Sequence, residues 1–156
     1  MAKKVLIFSL SYFPSFVSGA EMAVREITDR IGPEDIEFHM VTARYDSNLP
    51  RQEKIGNVTI HRIGLARPDP AFVDLGKFPL DLNKPWFQFG AAIKALRLQR
   101  QYRFDAIWSL MAFAAGVPAV IFKLVHPRMP FILTLQEGNS PEYIEKKMKP
   151  LWPLFS

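Results

Sequence analysis

The sequence predicts an α/β fold with a doubly wound, Rossmann-like parallel sheet. Short runs rich in Val, Ile, Leu and Phe alternate with segments of helical spacing along the chain. The 156 residues are 49% hydrophobic, which is enough for one domain with a substantial core. Because crossovers between parallel strands are right-handed and the sequence contains no internal repeat, a doubly wound sheet is the simplest topology.

The chain opens with a strand, a loop and a helix. Residues 4–10, KVLIFSL, are a continuous apolar run, which is typical of a strand buried on both faces. Pro14 and Gly19 mark the loop that follows. From Ala20 onward, apolar residues recur at helical spacing until the Gly-Pro pair at 32–33 ends the predicted helix.

Two further strands and a long loop follow. Residues 36–43, IEFHMVTA, and residues 58–63 predict strands. Gly56-Asn57 lies between two β-prone pieces, so it indicates either a hairpin or a strand with a tight turn. Residues 65–85 contain four prolines and little periodicity, which predicts a long loop, and such loops tend to be functional or mobile.

The second half repeats the alternation. We predict a helix with Pro85 near its first turn, a strand at 104–110, a helix beginning near Val117, a strand at 130–138 and a helix capped by Ser140. Residues 106–122 carry no charge, so they indicate either a short membrane span or a buried strand followed by a buried helix. A charge just before this run and the "GVP" within it favour the strand and helix.

Composition excludes several functions. The absence of cysteine excludes disulfides, thiolate zinc sites and a cysteine nucleophile, and it fits a reducing cytoplasm. The three histidines, on separate predicted elements, are expected to be packed or exposed rather than metal ligands. The net charge of +5 suits an anionic partner, but no nucleic-acid-binding module is recognisable. A predicted helix presents either a solvated face or an anion-binding patch through Lys94, Arg97, Arg100 and Arg103.

The first predicted strand end is a candidate ligand site. A loop entering a helix presents free backbone N–H groups, and these attract phosphate or another anion. Ser18, Gly19 and Ala20 are small enough for a ligand to approach the backbone, and Glu21 could accept hydrogen bonds from sugar hydroxyls. The same pattern also describes any well-capped α/β unit. The dinucleotide and Walker glycine patterns are absent.

A second polar cluster ends the last predicted strand. It suits either recognition of a hydroxyl-rich ligand or an ordinary helix entry with capping residues. Ser109, at the end of the neighbouring strand, is expected to point into the same cleft. The cluster consists of Thr134, Gln136, Glu137, Gly138 and Asn139.

These segments, in this order, resemble the N-terminal domain of retaining GT-B glycosyltransferases, glycosyltransferase family 4 (glycosyl transferase group 1). The family's G-G-x-E segment, which opens the first long helix, appears as Ser18-Gly19-Ala20-Glu21, with serine for the first glycine. The family strand that often ends Thr-x-His appears as Thr134-Leu135-Gln136, with glutamine for the histidine. The resemblance covers nearly the whole chain.

The resemblance implies one half of a GT-B fold and transfer of a sugar from a nucleotide-sugar donor, with retention of configuration. It implies that loop 18–21 contacts the donor phosphate or the acceptor. It also implies that Ser109 and residues 136–139 (Gln136, Glu137, Gly138 and Asn139) bind a sugar or lipid-linked acceptor. Neither a metal nor a cofactor is expected, since the nucleotide sugar is a substrate. The catalytic carboxylates are expected in a C-terminal donor-binding domain absent from this chain, present in cis or as a partner chain, so residues 1–156 alone are expected to be inactive.

Two other functions stay open. The chain is alternatively a non-catalytic Rossmann-like module that binds a nucleotide or a protein, or a subunit of a split transferase. No signal peptide is recognisable, so we expect a cytoplasmic protein, with peripheral contact at the inner face of the membrane as a further hypothesis. The segment FPLDLNKPWFQF mixes aromatic residues with Lys77 and Lys84, as an interfacial surface does. The alternative is that Trp86 and Phe89 pack into the core.

Overall fold

The computed structural model describes residues 1–135, which form a six-stranded sheet with helices on both faces. The strands are β1 Lys3–Phe8, β2 Ile36–Ala43, β3 Gln52–Ile55, β4 Val58–Ile63, β5 Ala106–Leu110 and β6 Phe131–Thr134. The helices are α1 Gly19–Asp29, α2 Asn83–Tyr102 and α3 Gly116–Val125. The predicted continuation of the last strand to residue 138 and the predicted helix from Ser140 lie outside the described residues.

The strand order is β3-β4-β2-β1-β5-β6, and every neighbouring pair is parallel except β3 with β4. The chain moves from β1 to β2 and β4 on one side, then returns to place β5 and β6 on the other side of β1. The order therefore reverses between β1 and β5. This arrangement confirms the predicted doubly wound, Rossmann-like sheet.

Alternation along β1 divides the core into two layers, because successive side chains of a strand point to opposite faces. Leu6 and Phe8 are fully buried in the layer beneath α2 and α3, where the Phe8 and Phe122 rings lie 6.3 Å apart. Ile7, also fully buried, packs in the layer that holds Val24 of α1. A strand covered on both faces is what its uninterrupted apolar run predicts.

Helix α2 packs through small residues. Ala91 and Ala95 are fully buried, so the helix backbone lies close to the sheet, and Phe87 fills the space near its start. Because Phe87 takes the inward position, Trp86 and Phe89 on either side are turned outward and stay more than half exposed. Core packing of Trp86 and Phe89, the alternative raised by the sequence, is therefore wrong.

The hairpin alternative at Gly56-Asn57 is confirmed, since β3 and β4 pair antiparallel across this turn. Gly56 has φ +57°, a left-handed conformation that favours glycine, and a Cβ there would lie 2.1 Å from Asp29 Oδ1, so any side chain would make Asp29 shift. The long loop at 65–85 contains two short 3-10 helices, Phe72–Gly76 and Leu80–Leu82.

The uncharged run at 106–122 forms β5 and most of α3, as the sequence favoured. Within residues 1–135, none of the helices combines the length and apolarity that crossing a bilayer requires. The Trp108 Nε1–H of β5 donates a hydrogen bond to Thr134 Oγ1 at 2.8 Å, which ties the end of β6 to its neighbour.

Candidate functional site

A cleft of about 370 Å³ opens at the carboxyl ends of β1 and β5, where the strand order reverses. Ser9, Leu10 and Ser11 follow β1 and line one side, while Leu110 and Met111 line the other. Open α/β sheets bind their ligands at such reversal points, because the loops diverge there and leave a crevice. The position of the cleft makes it the candidate ligand site.

Glu21 forms the polar base of the cleft beside the N-terminus of α1. Its side chain is buried, and Oε1 accepts a hydrogen bond from the Ser11 hydroxyl at 3.1 Å. Oε2 accepts from the Ser18 backbone N–H at 2.8 Å and from the Ser18 hydroxyl. A carboxylate has about four lone-pair sites. Three are in use, so Glu21 both caps the helix and retains about one acceptor position for a ligand hydroxyl.

We expect Glu21→Ala to lower the free energy of unfolding by about 1–2 kcal/mol, because the helix loses its cap and Ser18 its acceptor. Urea denaturation measures this change. Glu26→Ala on the same helix is the matched control, since Glu26 is exposed and pairs only with exposed Arg30 in the described interactions. Equal losses in the two variants would show that Glu21 is no more than a surface residue.

The other two residues of loop 18–21 are placed differently. Ala20 is buried against the core. Gly19 is exposed at the first turn of α1, and a Cβ built on it has no atom within 4 Å. The structure thus brings Ser18 and Glu21 to the cleft wall, while Gly19 borders open space at the helix N-terminus.

Aromatic rings also line the cleft, and the sequence pattern did not predict them. The Phe16 ring meets the Tyr45 ring edge-on at 5.9 Å and lies 6.3 Å from the Phe72 ring. All three line the cleft. Burial raises the pKa of Tyr45 to about 12, so its hydroxyl stays protonated at neutral pH. One sequence feature could have indicated this aromatic wall: Phe16 and Tyr45 are aromatic residues that each follow shortly after a predicted strand.

Two cleft residues have strained backbones. Phe16 has φ 60° and Met111 has φ 69°, both in the left-handed region that bulky side chains disfavour. Phe16 belongs to the loop after β1, and Met111 immediately follows β5. Strained non-glycine residues persist only where the surrounding structure holds them, and they cluster at ligand sites. Their presence on both sides of one cleft strengthens its assignment as the functional site.

A buried arginine holds the loop after β1 in place. Arg62 of β4 donates to the carbonyl oxygens of Phe13 at 3.1 Å and Pro50 at 2.9 Å, and it forms an ion pair with Glu53. The arginine side chain is buried, whereas Glu53 is partly exposed. Because Phe13 precedes the aromatic wall by three residues, Arg62 acts on the cleft as a positioning residue.

The remaining predicted site residues lie behind the cleft or beyond the described chain. Ser109 is fully buried, and its hydroxyl donates to the Met111 carbonyl at 3.3 Å rather than into the cleft. Gln136, Glu137, Gly138 and Asn139 lie outside the described residues. Lys84, which the sequence placed in an interfacial segment, is exposed and lines the cleft from the start of α2. Among residues 1–135, no three His, Asp or Glu side chains are grouped so as to hold a metal ion.

No protein-family model matches the chain, and no curated protein matches it significantly. Solved structures do match. A sucrose-phosphate synthase from Thermosynechococcus elongatus matches 95% of this chain at 14% identity with a TM-score of 0.58. The chain spans 39% of that synthase's length. A second structure of the same synthase matches 94% of this chain and 71% of its own at 16% identity, with a TM-score of 0.54. The described residues therefore share the fold of part of that synthase, a mostly parallel, Rossmann-like α/β sheet.

Proposed function

We propose that this chain is the N-terminal, acceptor-side domain of a glycosyltransferase that moves a sugar from a nucleotide-sugar donor to an acceptor with retention of configuration. The observation that carries the proposal is the cleft at the β1/β5 reversal point, which has serine hydroxyls and Glu21 at its base and aromatic rings along one wall. Similarity to the sucrose-phosphate synthase fold supports the same class of enzyme.

The chemistry of the cleft suits a sugar. The Ser11 and Ser18 hydroxyls donate to Glu21 and keep lone pairs that accept, and the Glu21 carboxylate accepts as well, so the base of the cleft offers acceptors to the hydroxyl donors of a polyol. The Phe16, Tyr45 and Phe72 rings offer apolar surface to the C–H face of a sugar ring. A few convergent polar groups within a largely apolar pocket fix orientation as well as affinity.

Loop 18–21 is proposed to contact the donor phosphate or the acceptor. The space beside Gly19 in the first turn of α1 is open, and the helix dipole favours an anion at this end of the helix. Lys84 on the opposite wall adds a positive charge. The donor-binding domain and its catalytic carboxylates are proposed to reside in a second domain, in cis or on a partner chain. The acceptor is proposed to be a sugar or a lipid-linked sugar.

The test is sugar transfer by the protein with its second domain, supplied with a panel of uridine, guanosine and adenosine diphosphate sugars. We expect transfer from one class of donor, with a product that keeps the donor's anomeric configuration by NMR. The 156-residue chain alone should show no transfer. Inversion would refute the retaining mechanism. If nucleotide binds without any transfer, the chain is a binding module and the proposal fails.

Gly19 provides a second, local test. A side chain at this position meets only open space and φ is not positive, so Gly19→Ala and Gly19→Phe should fold with the wild-type melting temperature. We expect Gly19→Phe to lower kcat/KM in the complete enzyme by roughly tenfold or more, because the ring displaces a ligand from the helix N-terminus. The control variant Gly19→Ala should retain most activity. Wild-type transfer rates in Gly19→Phe would remove this loop from the site.

A further inference from the structure

The outer face of α2 carries an apolar stripe that nothing in residues 1–135 covers. Leu82 is 44% exposed, Trp86 56%, Phe89 61% and Ile93 51%. Leu82 directly precedes α2, and the spacing of four, three and four residues places all four side chains on one side of the helix. Single exposed apolar residues are ordinary on a protein surface, but a contiguous aromatic stripe marks an interaction site.

The inner face of α2 already meets the packing needs of the helix. Phe87, Ala91, Ala95 and Leu98 are buried against the sheet layer. The apolar residues of the outer face are therefore surplus to folding. Folding leaves much of their surface in water, so another surface that covers them would gain this unused apolar burial.

The charges of α2 indicate what that surface is. The helix carries four cations, at Lys84, Lys94, Arg97 and Arg100, and its sequence contains no acidic residue. Arg97 and Arg100 continue the stripe, four and seven residues beyond Ile93, so the outer face runs from aromatic to basic. From Leu82 to Arg100 the stripe is about 27 Å long, at 1.5 Å per residue.

We propose that the outer face of α2 docks on an anionic lipid surface. Trp86, Phe89 and Ile93 enter the boundary between headgroups and acyl chains, and Arg97 and Arg100 contact lipid phosphates. Helices that lie in a membrane interface combine these two features, because apolar burial and attraction to anionic lipid add together. A second copy of the chain is a poorer partner, since two such helices face to face would bring only like charges together.

The cleft lies next to this surface. Helix α2 follows a strand and runs back across the sheet, so its first residues lie near the carboxyl ends of the strands, and Lys84 lines the cleft. A chain docked through Trp86 and Phe89 thus has the cleft opening close to the lipid headgroups. The docking itself does not depend on the proposed sugar transfer.

Co-sedimentation of the 156-residue chain with vesicles tests the proposal. We expect binding to phosphatidylcholine vesicles that contain about one-third phosphatidylglycerol, and much weaker binding to phosphatidylcholine alone. Trp86→Ser/Phe89→Ser should weaken the partition coefficient at least roughly tenfold, since it removes two interfacial aromatic residues. Arg97→Gln/Arg100→Gln should weaken binding to anionic vesicles and reduce its salt sensitivity.

The matched control is Leu124→Ser/Val125→Ser on α3, which removes two apolar side chains of similar exposure from another helix. It should bind like wild type, and circular dichroism should show every variant folded. Three outcomes overturn the proposal: no binding of the wild type to anionic vesicles, wild-type binding by Trp86→Ser/Phe89→Ser, or equal loss in the α3 control. Self-association that disappears in Trp86→Ser/Phe89→Ser without vesicle binding also overturns it, because the stripe would then be a contact between copies.

Discussion

Replacing Arg62 by alanine is expected to lower the free energy of unfolding by about 3–5 kcal/mol. The guanidinium is buried and bonds the carbonyl oxygens of Phe13 and Pro50 while it pairs with Glu53. Alanine would leave two carbonyls and one partly buried carboxylate without these partners, and an unpaired buried polar group loses its hydration without compensation. For a chain of this length, the melting temperature should fall by about 10 °C.

The matched control is Arg30→Ala. Arg30 also forms an ion pair, with Glu26 at 3.1 Å, but both side chains are mostly exposed. An exposed pair at this helical spacing contributes about 0.3–0.5 kcal/mol, so this variant should be almost as stable as wild type. Urea denaturation of both variants measures the difference. A loss below about 1 kcal/mol in Arg62→Ala would show that the buried contacts do not hold the loop.

Arg62 and Glu53 also permit a double-mutant cycle. Arg62→Met keeps most of the side-chain volume while removing the charge, and Glu53→Gln removes the partner's charge. If the ion pair matters, the combined loss should be smaller than the sum of the single losses, because the second change no longer removes an existing interaction. Additive losses would assign the stability to the Phe13 and Pro50 carbonyls alone.

The second large effect is expected from two histidines that share a hydrogen bond within the sheet. His39 Nδ1 and His61 Nε2 lie 3.1 Å apart, and His39 Nε2 lies 2.6 Å from Glu37 Oε1. A carboxylate only accepts, so His39 donates from Nε2 to Glu37 and its Nδ1 accepts from His61. His61 Nδ1 is then an unprotonated, buried nitrogen without a hydrogen-bond partner. Protonation there would place an unpaired charge in the core.

Stability should therefore fall in mild acid. Burial lowers the pKa of His61 from 6.5 to about 4 and also lowers the pKa of His39. A depressed histidine pKa means that the unfolded chain binds protons first, so stability is complete above pH 6.5 and declines as the pH falls toward 4. From pH 7 to pH 5, His61 alone should remove about 2 kcal/mol from the free energy of unfolding.

Urea denaturation at pH 7 and pH 5 measures this loss in wild type and in His61→Phe, whose ring cannot titrate. We expect a smaller loss in the variant, while His126→Gln, outside the pair, should behave like wild type. The bond from His39 lowers the pKa of Glu37 below 4.5, so this carboxylate contributes mainly below the chosen window. An unchanged pH dependence in His61→Phe would show that the buried pair does not titrate on unfolding.

The sequence located β1, β2, β4, β5 and β6 because each of these strands is an apolar run, whereas β3 has the polar sequence QEKI and was missed. The predicted strands at 36–43 and 58–63 match β2 and β4 residue for residue, and α3 begins one residue before the predicted Val117. Strand β5 begins two residues later than predicted. The first and last residues of an element are harder to predict than its type. Hydrophobic spacing reflects burial, whereas the ends of an element depend on its last backbone hydrogen bonds.

The cleft was only partly predictable. Ser18 and Glu21 could be found because a helix start has a local pattern of small, hydroxyl and acidic residues. Arg62 could not, since its hydrogen bond to the Phe13 carbonyl joins positions 49 residues apart. Phe72 lies in a segment without periodicity, so no pattern associates it with Phe16. The His39–His61 contact could not be predicted either, because the two residues lie on separate strands.

The sequence by itself determined the alternation of strands and helices, the parallel sheet and the helix start at Ser18-Gly19-Ala20-Glu21. These features depend on the spacing of apolar residues and on local conformation, and both are determined by residues close together in the sequence. Only the tertiary structure decided that Trp86 and Phe89 face outward, that Ser109 turns away from the cleft, and that Arg62 supports the loop above it. Such features depend on which distant segments meet, and packing between separate strands and helices sets that outcome.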